Sequence, residues 1–477
     1  MPSGPCLQTL QRELADSIIR CAPLDELRIL LACGARVNEP VTQGLRPLHY
    51  AAYRRYDEAV NLLLVRGCDV DATDDVGYTA LHLCAERGFK DTADLLLKHQ
   101  ARVCFTEQPC KASTKQPLGN PPRATLADEP LRLALKNGHY ECAELLLLSG
   151  ADPNARYFLG CEINLVSPLD LRALILLLRY GAFPDARDRT GLTPLMKAAR
   201  HPRGLDAVRL LVSHGADVNA DTSERHDCRT VLHYAVLSGN VETVRYLLDN
   251  GAKAAVPHGY HYPTPLDFAV LRGQLEVACM LLDAGAHPDA GGSPIVGSPL
   301  HLALCEAPVP QRLPLAQLLL ERGADPNALT FSERGGPLLR SPLGEYLASA
   351  DDHPCSPCLV RLLLKFGARA VLRPQAKHPL GILRCLTRFK QEDVLEVVID
   401  ASEGLDRATI QRNLQLGPEA RRVLMEASSA PRPLKHLARL SVRATLGVTG
   451  PQLLHKTYQL MASPLPAPLV RYLLYET

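Results

Sequence analysis

The chain has 477 residues, 46% of them hydrophobic and 22% charged, with no tryptophan and a formal net charge of only +2. So even a charge balance excludes a sequence-independent nucleic-acid binder, which needs a basic surface. No stretch approaches 18 consecutive apolar residues, so no transmembrane helix is expected. The opening MPSGPCLQTLQRELADSIIR lacks the basic start and apolar core of a secretory signal.

Residues 1–24 read as an N-terminal cap segment, followed by LDELRILLA, a second helix without a first, which ends at Gly34. From residue 25 to about 400, two signatures recur in register. One is a leucine run closed by Gly-Ala, as in LLLLSGADPNA, LLVSHGADVNA and LLLERGADPNA. Its landmark glycine stands at 34, 67, 150, 181, 215, 251, 285, 323 and 367, with Gln100 as an equivalent. Successive spacings are 33, 33, 50, 31, 34, 36, 34, 38 and 44 residues. The second signature lies upstream of most of these glycines: RPLHYAA at 46, TALHLCA at 79, EPLRLAL at 129, TPLMKAA at 193, TVLHYAV at 230, TPLDFAV at 264 and SPLHLAL at 298. SPLDLRA at 167, SPLGEYL at 341 and HPLGILR at 378 are looser versions.

Each part has a mechanical reason. Thr or Ser caps a helix start, and Pro in the first turn loses no hydrogen bond. The Leu and Ala that follow share one face and permit close stacking. Gly88, Gly138, Gly239 and Gly273 end first helices in a left-handed conformation. Such a helix pair buries its apolar face only by stacking on neighbours. Departures from the period mark loops: a Pro/Lys/Thr-rich insertion near 102–128, and SADDHPCSPC near 350. The 31-residue unit implies a truncated first helix after Pro168. Residues 401–430 read as closing helices and a connector.

Residues 431–477 change character, with six Lys or Arg against one acid, Glu476. Leu434, Ala438 and Val442 fall on one face of a helix that Pro433 starts, with Leu437 beside them. Lys435, Arg439 and Arg443 form an adjacent basic stripe. Further on, Pro464 and Pro466 bracket Leu465, and a short helix carries Leu469, Tyr472 and Leu473. Forty-seven residues bury little core alone, so the module must dock on the last repeats, on a partner, or on both.

The repeat closely resembles the ankyrin repeat, and the tail resembles the suppressor-of-cytokine-signalling (SOCS) box. In that box the Elongin-binding motif places Pro433, Leu434, Ala438 and Val442 at its small, Leu, Cys and aliphatic positions; Ala438 replaces the Cys. The cullin-selecting motif is matched by Pro464, Leu465, Pro466, Leu469, Tyr472 and Leu473, with Ser463 replacing its first Leu. The chain is therefore similar to members of the ankyrin-repeat and SOCS-box family. This resemblance implies an all-α fold: an ankyrin-repeat solenoid of about ten helix-turn-helix units with a small three-helix SOCS box at 431–477. It further implies a non-catalytic substrate receptor joined through Elongin-B and Elongin-C to Cullin-5 and its RING partner, directing a protein substrate to ubiquitination and degradation. Loss of the thiol at Ala438 weakens Elongin binding by roughly 0.8 kcal/mol, about fourfold. An ankyrin scaffold with a degenerate tail is the alternative, and the Ala438 and Ser463 departures keep it open.

No phosphate loop, H-E-x-x-H or G-x-S-x-G appears, so no catalytic residue, nucleic-acid partner or cofactor is expected. His49, His82, His233 and His301 recur at one register and read as inter-repeat hydrogen-bonding residues. Cys355 and Cys358 form a lone CxxC, short of the four ligands zinc needs. Tyr260, His261 and Tyr262 fall in a finger turn and are the candidate substrate contacts, set against ordinary turn packing. Arg187, Asp188 and Arg189 form another finger's charged tip. Fifteen scattered cysteines, several inside apolar helical runs, suit reduced thiols in the cytosol or nucleus, away from membranes.

Overall fold

A computed structural model describes residues 4–105, 128–157, 159–257, 260, 262–290, 297–305, 309–331, 337–349, 355–374, 378–386, 391–413, 416–459 and 467–476. It divides into two compact units, residues 1–220 and 221–477. The insertion near 102–128 lies mostly outside the described residues.

The first unit is a stack of helix pairs: α1 (Gly4–Ile19) with α2 (Leu24–Ala32), α3 (Pro47–Tyr53) with α4 (Asp57–Val65), α5 (Ala80–Arg87) with α6 (Lys90–Lys98), α7 (Pro130–Lys136) with α8 (Tyr140–Leu148), α9 (Glu162–Leu165) with α10 (Leu171–Arg179), and α11 (Pro194–Arg200) with α12 (Leu205–Ser213). A two-stranded hairpin, β1 (Arg156–Tyr157) and β2 (Gly160–Cys161), precedes α9. The second unit continues the pattern with α13 (Val231–Ser238) and α14 (Val241–Asp249), α15 (Pro265–Leu271) and α16 (Leu275–Asp283), α17 (Pro299–Cys305) and α18 (Arg312–Glu321), a hairpin of β3 (Thr330–Phe331) and β4 (Pro337–Leu339), and α19 (Pro342–Ala348) with α20 (Pro357–Lys365). It closes with a 3-10 turn at Leu383–Leu386, α21 (Glu392–Ala401), α22 (Arg407–Arg412), α23 (Pro418–Ser429), and the C-terminal module of α24 (Leu434–Leu446), α25 (Pro451–Gln459) and α26 (Ala467–Leu473). Within each unit first helices pack on first helices and second on second, as α3 on α5 on α7 and α14 on α16 on α18.

The caps follow the residues. Thr79, Thr193, Thr264 and Ser341 accept hydrogen bonds from the backbone three residues on. The close stacking rests on small residues: Ala51, Ala85, Ala134 and Ala269 are fully buried beside Leu81, Leu146 and Leu281. Each such leucine contributes about 1.5–3 kcal/mol. Gln100 takes φ +64, matching the positive φ of the landmark glycines, so it is their equivalent in backbone as well as in spacing.

Three of the four recurrent histidines tie neighbouring pairs together; the fourth, His82, keeps its Nε2 buried without a hydrogen-bond partner. The N-cap backbone N–H donates to Nδ1, over 3.1 Å from Thr79 to His82 and 2.9 Å from Thr230 to His233. That leaves the ring proton on Nε2. His49 Nε2 then meets the carbonyl of Tyr78 at 3.0 Å, His233 that of Pro263 at 3.1 Å, and His301 that of Arg340 at 2.9 Å. Burial lowers the pKa of all four, to about 4 for His82 and His233.

Three of the seven close signatures replace the histidine, with Arg132, Met196 and Asp267. Asp267 accepts from the Thr264 N–H at 2.7 Å and its hydroxyl at 2.9 Å, and burial raises its pKa to about 6. Arg132 reaches across to Glu162, 3.5 Å away and fully buried. Burial outweighs Arg132, and the Glu162 pKa rises to about 7.

Three sequence expectations are corrected. The first unit has both its helices, because α1 packs on α2 and α3 with Leu14 and Ile18 fully buried; a start without Thr-Pro hid it. SPLDLRA does not begin a first helix: Asp170 caps the second helix, α10, and the truncated first helix is α9, upstream. HPLGILR yields a 3-10 turn instead of an α-helix. Between the array and the C-terminal module, α22 and α23 pack against each other.

Candidate partner-binding surface of the C-terminal module

Helix α24 starts after Pro433 and ends at Gly447, whose φ of +65 suits only glycine well. Its 3.6-residue period sorts the side chains onto two opposed faces. Leu434, Leu437 and Ala438 face outward: Leu434 is 84% exposed and Leu437 47%. Val442 continues this row, half-buried. His436 and Arg439 face inward, 3% and 2% exposed. Apolar groups are thus in water and charged groups inside, the reverse of an ordinary surface helix.

The inward charges are neutralised by helix ends. Arg439 Nη2 donates to both the carbonyl and Oδ2 of Asp400, each at 2.6 Å, at the end of α21. Its guanidinium lies between two rings, 4.3 Å from the Tyr472 centroid and 4.0 Å from that of Tyr475. Arg443 donates to the carbonyl of Leu364, near the end of α20, and at 2.8 Å to that of Leu473, which closes α26. Arg432 donates to the carbonyl of Ser402 at 2.6 Å and to its hydroxyl at 3.0 Å. The terminal carbonyls of a helix lack intrahelical donors and carry partial negative charge, which suits guanidinium groups. Desolvation lowers the pKa of Arg432, His436 and Arg443. Lys365 and Glu476 add an ion pair at 2.8 Å. The landmark glycine of the last α-helical pair, Gly367, brings the module close: a Cβ there would stand 3.2 Å from Leu453 and Thr449, at φ +102.

The basic stripe expected from the sequence is therefore not a surface stripe. Arg439 and Arg443 point into the molecule. The signal was present, since 432, 436, 439 and 443 follow helical spacing, but spacing alone does not say which face turns inward. Of the cullin-motif residues, Leu469 is exposed, Tyr472 half-buried against Arg439, and Leu473 buried. Pro464, Leu465 and Pro466 lie outside the described residues. In the finger, the Tyr260 hydroxyl donates to the carbonyl of Asp227 at 3.0 Å, and its ring packs 5.6 Å from that of Tyr262. Burial raises the Tyr260 pKa to about 12. Tyr260 thus packs into the finger, while His261 lies outside the described residues. Cys355 is buried and donates to the Tyr346 carbonyl at 3.4 Å; Cys358 is exposed. Among the described residues no cluster of His, Cys, Asp and Glu is fit to hold a metal.

Comparison with known proteins agrees with both parts of the chain. Models of ankyrin repeats match residues 19–107, 48–157, 190–223, 219–291 and 298–331. The SOCS box model matches residues 430–474. Ankyrin repeat and SOCS box protein 16 of Mus musculus is 30% identical over 356 residues, covering 72% of this chain and 73% of that one. A shorter match, 33% over 129 residues, is to the mitochondrial disaggregase of Bos taurus, of whose length this chain spans 19%. Among solved structures, the ankyrin repeat domain of human ASB11 is 21% identical with a TM-score of 0.38, covering 50% of this chain and 97% of that one.

Proposed function

The chain belongs to the ankyrin repeat and SOCS box protein family, and from that membership we propose that it recruits a protein substrate to a Cullin-5 RING ubiquitin ligase. The ankyrin array holds the substrate, and the C-terminal module binds Elongin-B and Elongin-C and contacts Cullin-5. The ubiquitinated substrate is then degraded. The observation that carries this reading is the exposed row Leu434, Leu437 and Ala438 on a helix whose other face packs on α21 and α26. A leucine 84% exposed on an otherwise docked helix is an anchor without a pocket, and a partner would supply one. Thiols buried in the array, such as Cys84 and Cys142, suit the cytosol or nucleus, where we place the protein.

No chemistry is asked of the chain itself. By holding substrate and ligase together it raises the local concentration of the charged conjugating enzyme beside substrate lysines. The test is copurification of the full chain with Elongin-B and Elongin-C. Stable complex formation that Leu434→Ala abolishes supports the reading. Failure of the native chain to bind at micromolar concentration sinks it.

A further inference from the structure

We propose that Arg432, Arg439 and Arg443 act as a latch that fixes the orientation of the C-terminal module on the last part of the array. This deepens the adaptor reading and rests on it for its purpose: the partner-binding face of α24 then keeps one bearing relative to the α20–α21 region.

Between them the three guanidinium groups engage the ends of three helices, with Arg432 and Arg439 sharing the end of α21. Arg432 takes Ser402, Arg439 takes the end of α21 at Asp400, and Arg443 joins the Leu364 carbonyl of α20 to the Leu473 carbonyl of α26. A planar guanidinium with several fixed donors constrains rotation more than a lysine ammonium does. Arg439 is further confined between the rings of Tyr472 and Tyr475, so α26 is held to the array through the same side chain. A second line of contact, from the Gly450 N–H to the Phe366 carbonyl at 2.8 Å, stops the module pivoting about the arginines. None of these contacts uses Leu434, Leu437 or Ala438. The latch and the partner surface are opposite faces of one helix.

The consequence is geometric. A module swinging on a free linker samples many placements, whereas a latched one presents the ligase from one direction and limits which substrate lysines are reached.

The test is single-molecule energy transfer in the full chain bound to Elongin-B and Elongin-C. Fluorophores are introduced through non-natural residues at Glu321, at the end of α18, and Gln452, on α25, both exposed. The native complex is expected to show one narrow distance population. Arg439→Met with Arg443→Met is expected to broaden it, and Arg439→Lys to restore only part of the order. Asp400→Asn weakens the latch from the array side while leaving the module's own sequence intact, so it guards against a module that fails to fold. It is expected to broaden the distribution without changing Elongin affinity. Native-like narrow populations in both the double variant and Asp400→Asn would overturn the latch and leave the adaptor reading standing. If the native chain does not bind Elongin, the adaptor reading falls, and the same measurement on the free chain still decides the latch.

Discussion

The helices of the array and helix α24 answer the same physical problem in opposite ways. In α16, Val277, Ala278 and Leu281 are buried while Glu276 is paired at the surface with Arg245, so folding alone accounts for which face turns inward. In α24 the arginine and histidine go in while Leu434 and Leu437 stay out. An array helix is finished when the chain has folded. Helix α24, on the adaptor reading, is finished only when a partner covers Leu434, while the buried arginines hold the opposite face inward. A charged face and an apolar face on a surface helix do not by themselves say which is structural; here the charged one is.

Matched truncations break this comparison most sharply. Leu281→Ala in the array is expected to lower stability by about 2–5 kcal/mol, read by denaturant melts. Leu434→Ala is expected to change stability by less than about 0.5 kcal/mol. On the adaptor reading it is expected to weaken Elongin binding by about 2–4 kcal/mol, roughly 30- to 1,000-fold by calorimetry. A Leu434→Ala chain that melts as early as Leu281→Ala would show that the outward row is structural after all.

Acid separates the regions next. The buried histidines are neutral in the folded array, with pKa about 4 for His82 and His233. Their contribution is present in full above about pH 6.5, the unfolded value, and is lost as pH falls toward 4, because the unfolded chain then binds more protons. Each of these two is expected to remove about 2–3 kcal/mol over that window. Melts at stepwise pH check this, and a stability that is flat from pH 7 to 5 in a chain also carrying Glu162→Gln would contradict it.

Glu162 works in the opposite direction. Its folded pKa, raised to about 7, means its contribution is present below the unfolded value and lost as pH rises through 7. It therefore masks part of the histidine slope. Glu162→Gln is expected to steepen the loss of stability on acidification by about 1–2 kcal/mol between pH 7 and 5; identical slopes in the two proteins would remove Glu162 from the account.

The smallest expected effect lies on the outward face. Ala438→Cys adds one buried thiol in the complex and is expected to tighten Elongin binding about fourfold, with no change in melting.

Much of this was legible in the sequence because the repeat writes its own mechanics. Pro at the first helical turn, Ala where pairs touch and a left-handed residue after each second helix are local requirements, so they survive even at Gln100. Helix α1 is hidden because its start carries no Thr-Pro step. SPLDLRA misled because Ser-Pro and Asp both serve helix starts, and only packing tells which helix they start. The inward turn of Arg439 and Arg443 is illegible for a different reason: beside the Asp400 carboxylate and two tyrosine rings, their hydrogen-bond partners are backbone carbonyls of α20, α21 and α26, groups every residue has and no sequence marks. The motif casts Tyr472 and Leu473 as partner residues, yet Tyr472 is half-buried and Leu473 buried against the dock; that follows from Arg439 and Arg443 bringing α26 inward.

Those carbonyl acceptors have a consequence for how the chain is made. The oxygens of Leu364 and Asp400 are lined up for a guanidinium only after α20 and α21 have wound, and both helices leave the ribosome before α24 does. The module therefore seats last, on a surface that exists only if the preceding helices are complete. An array that has frayed at its end offers no seat, and a module that is docked certifies that the final helices beneath it are formed.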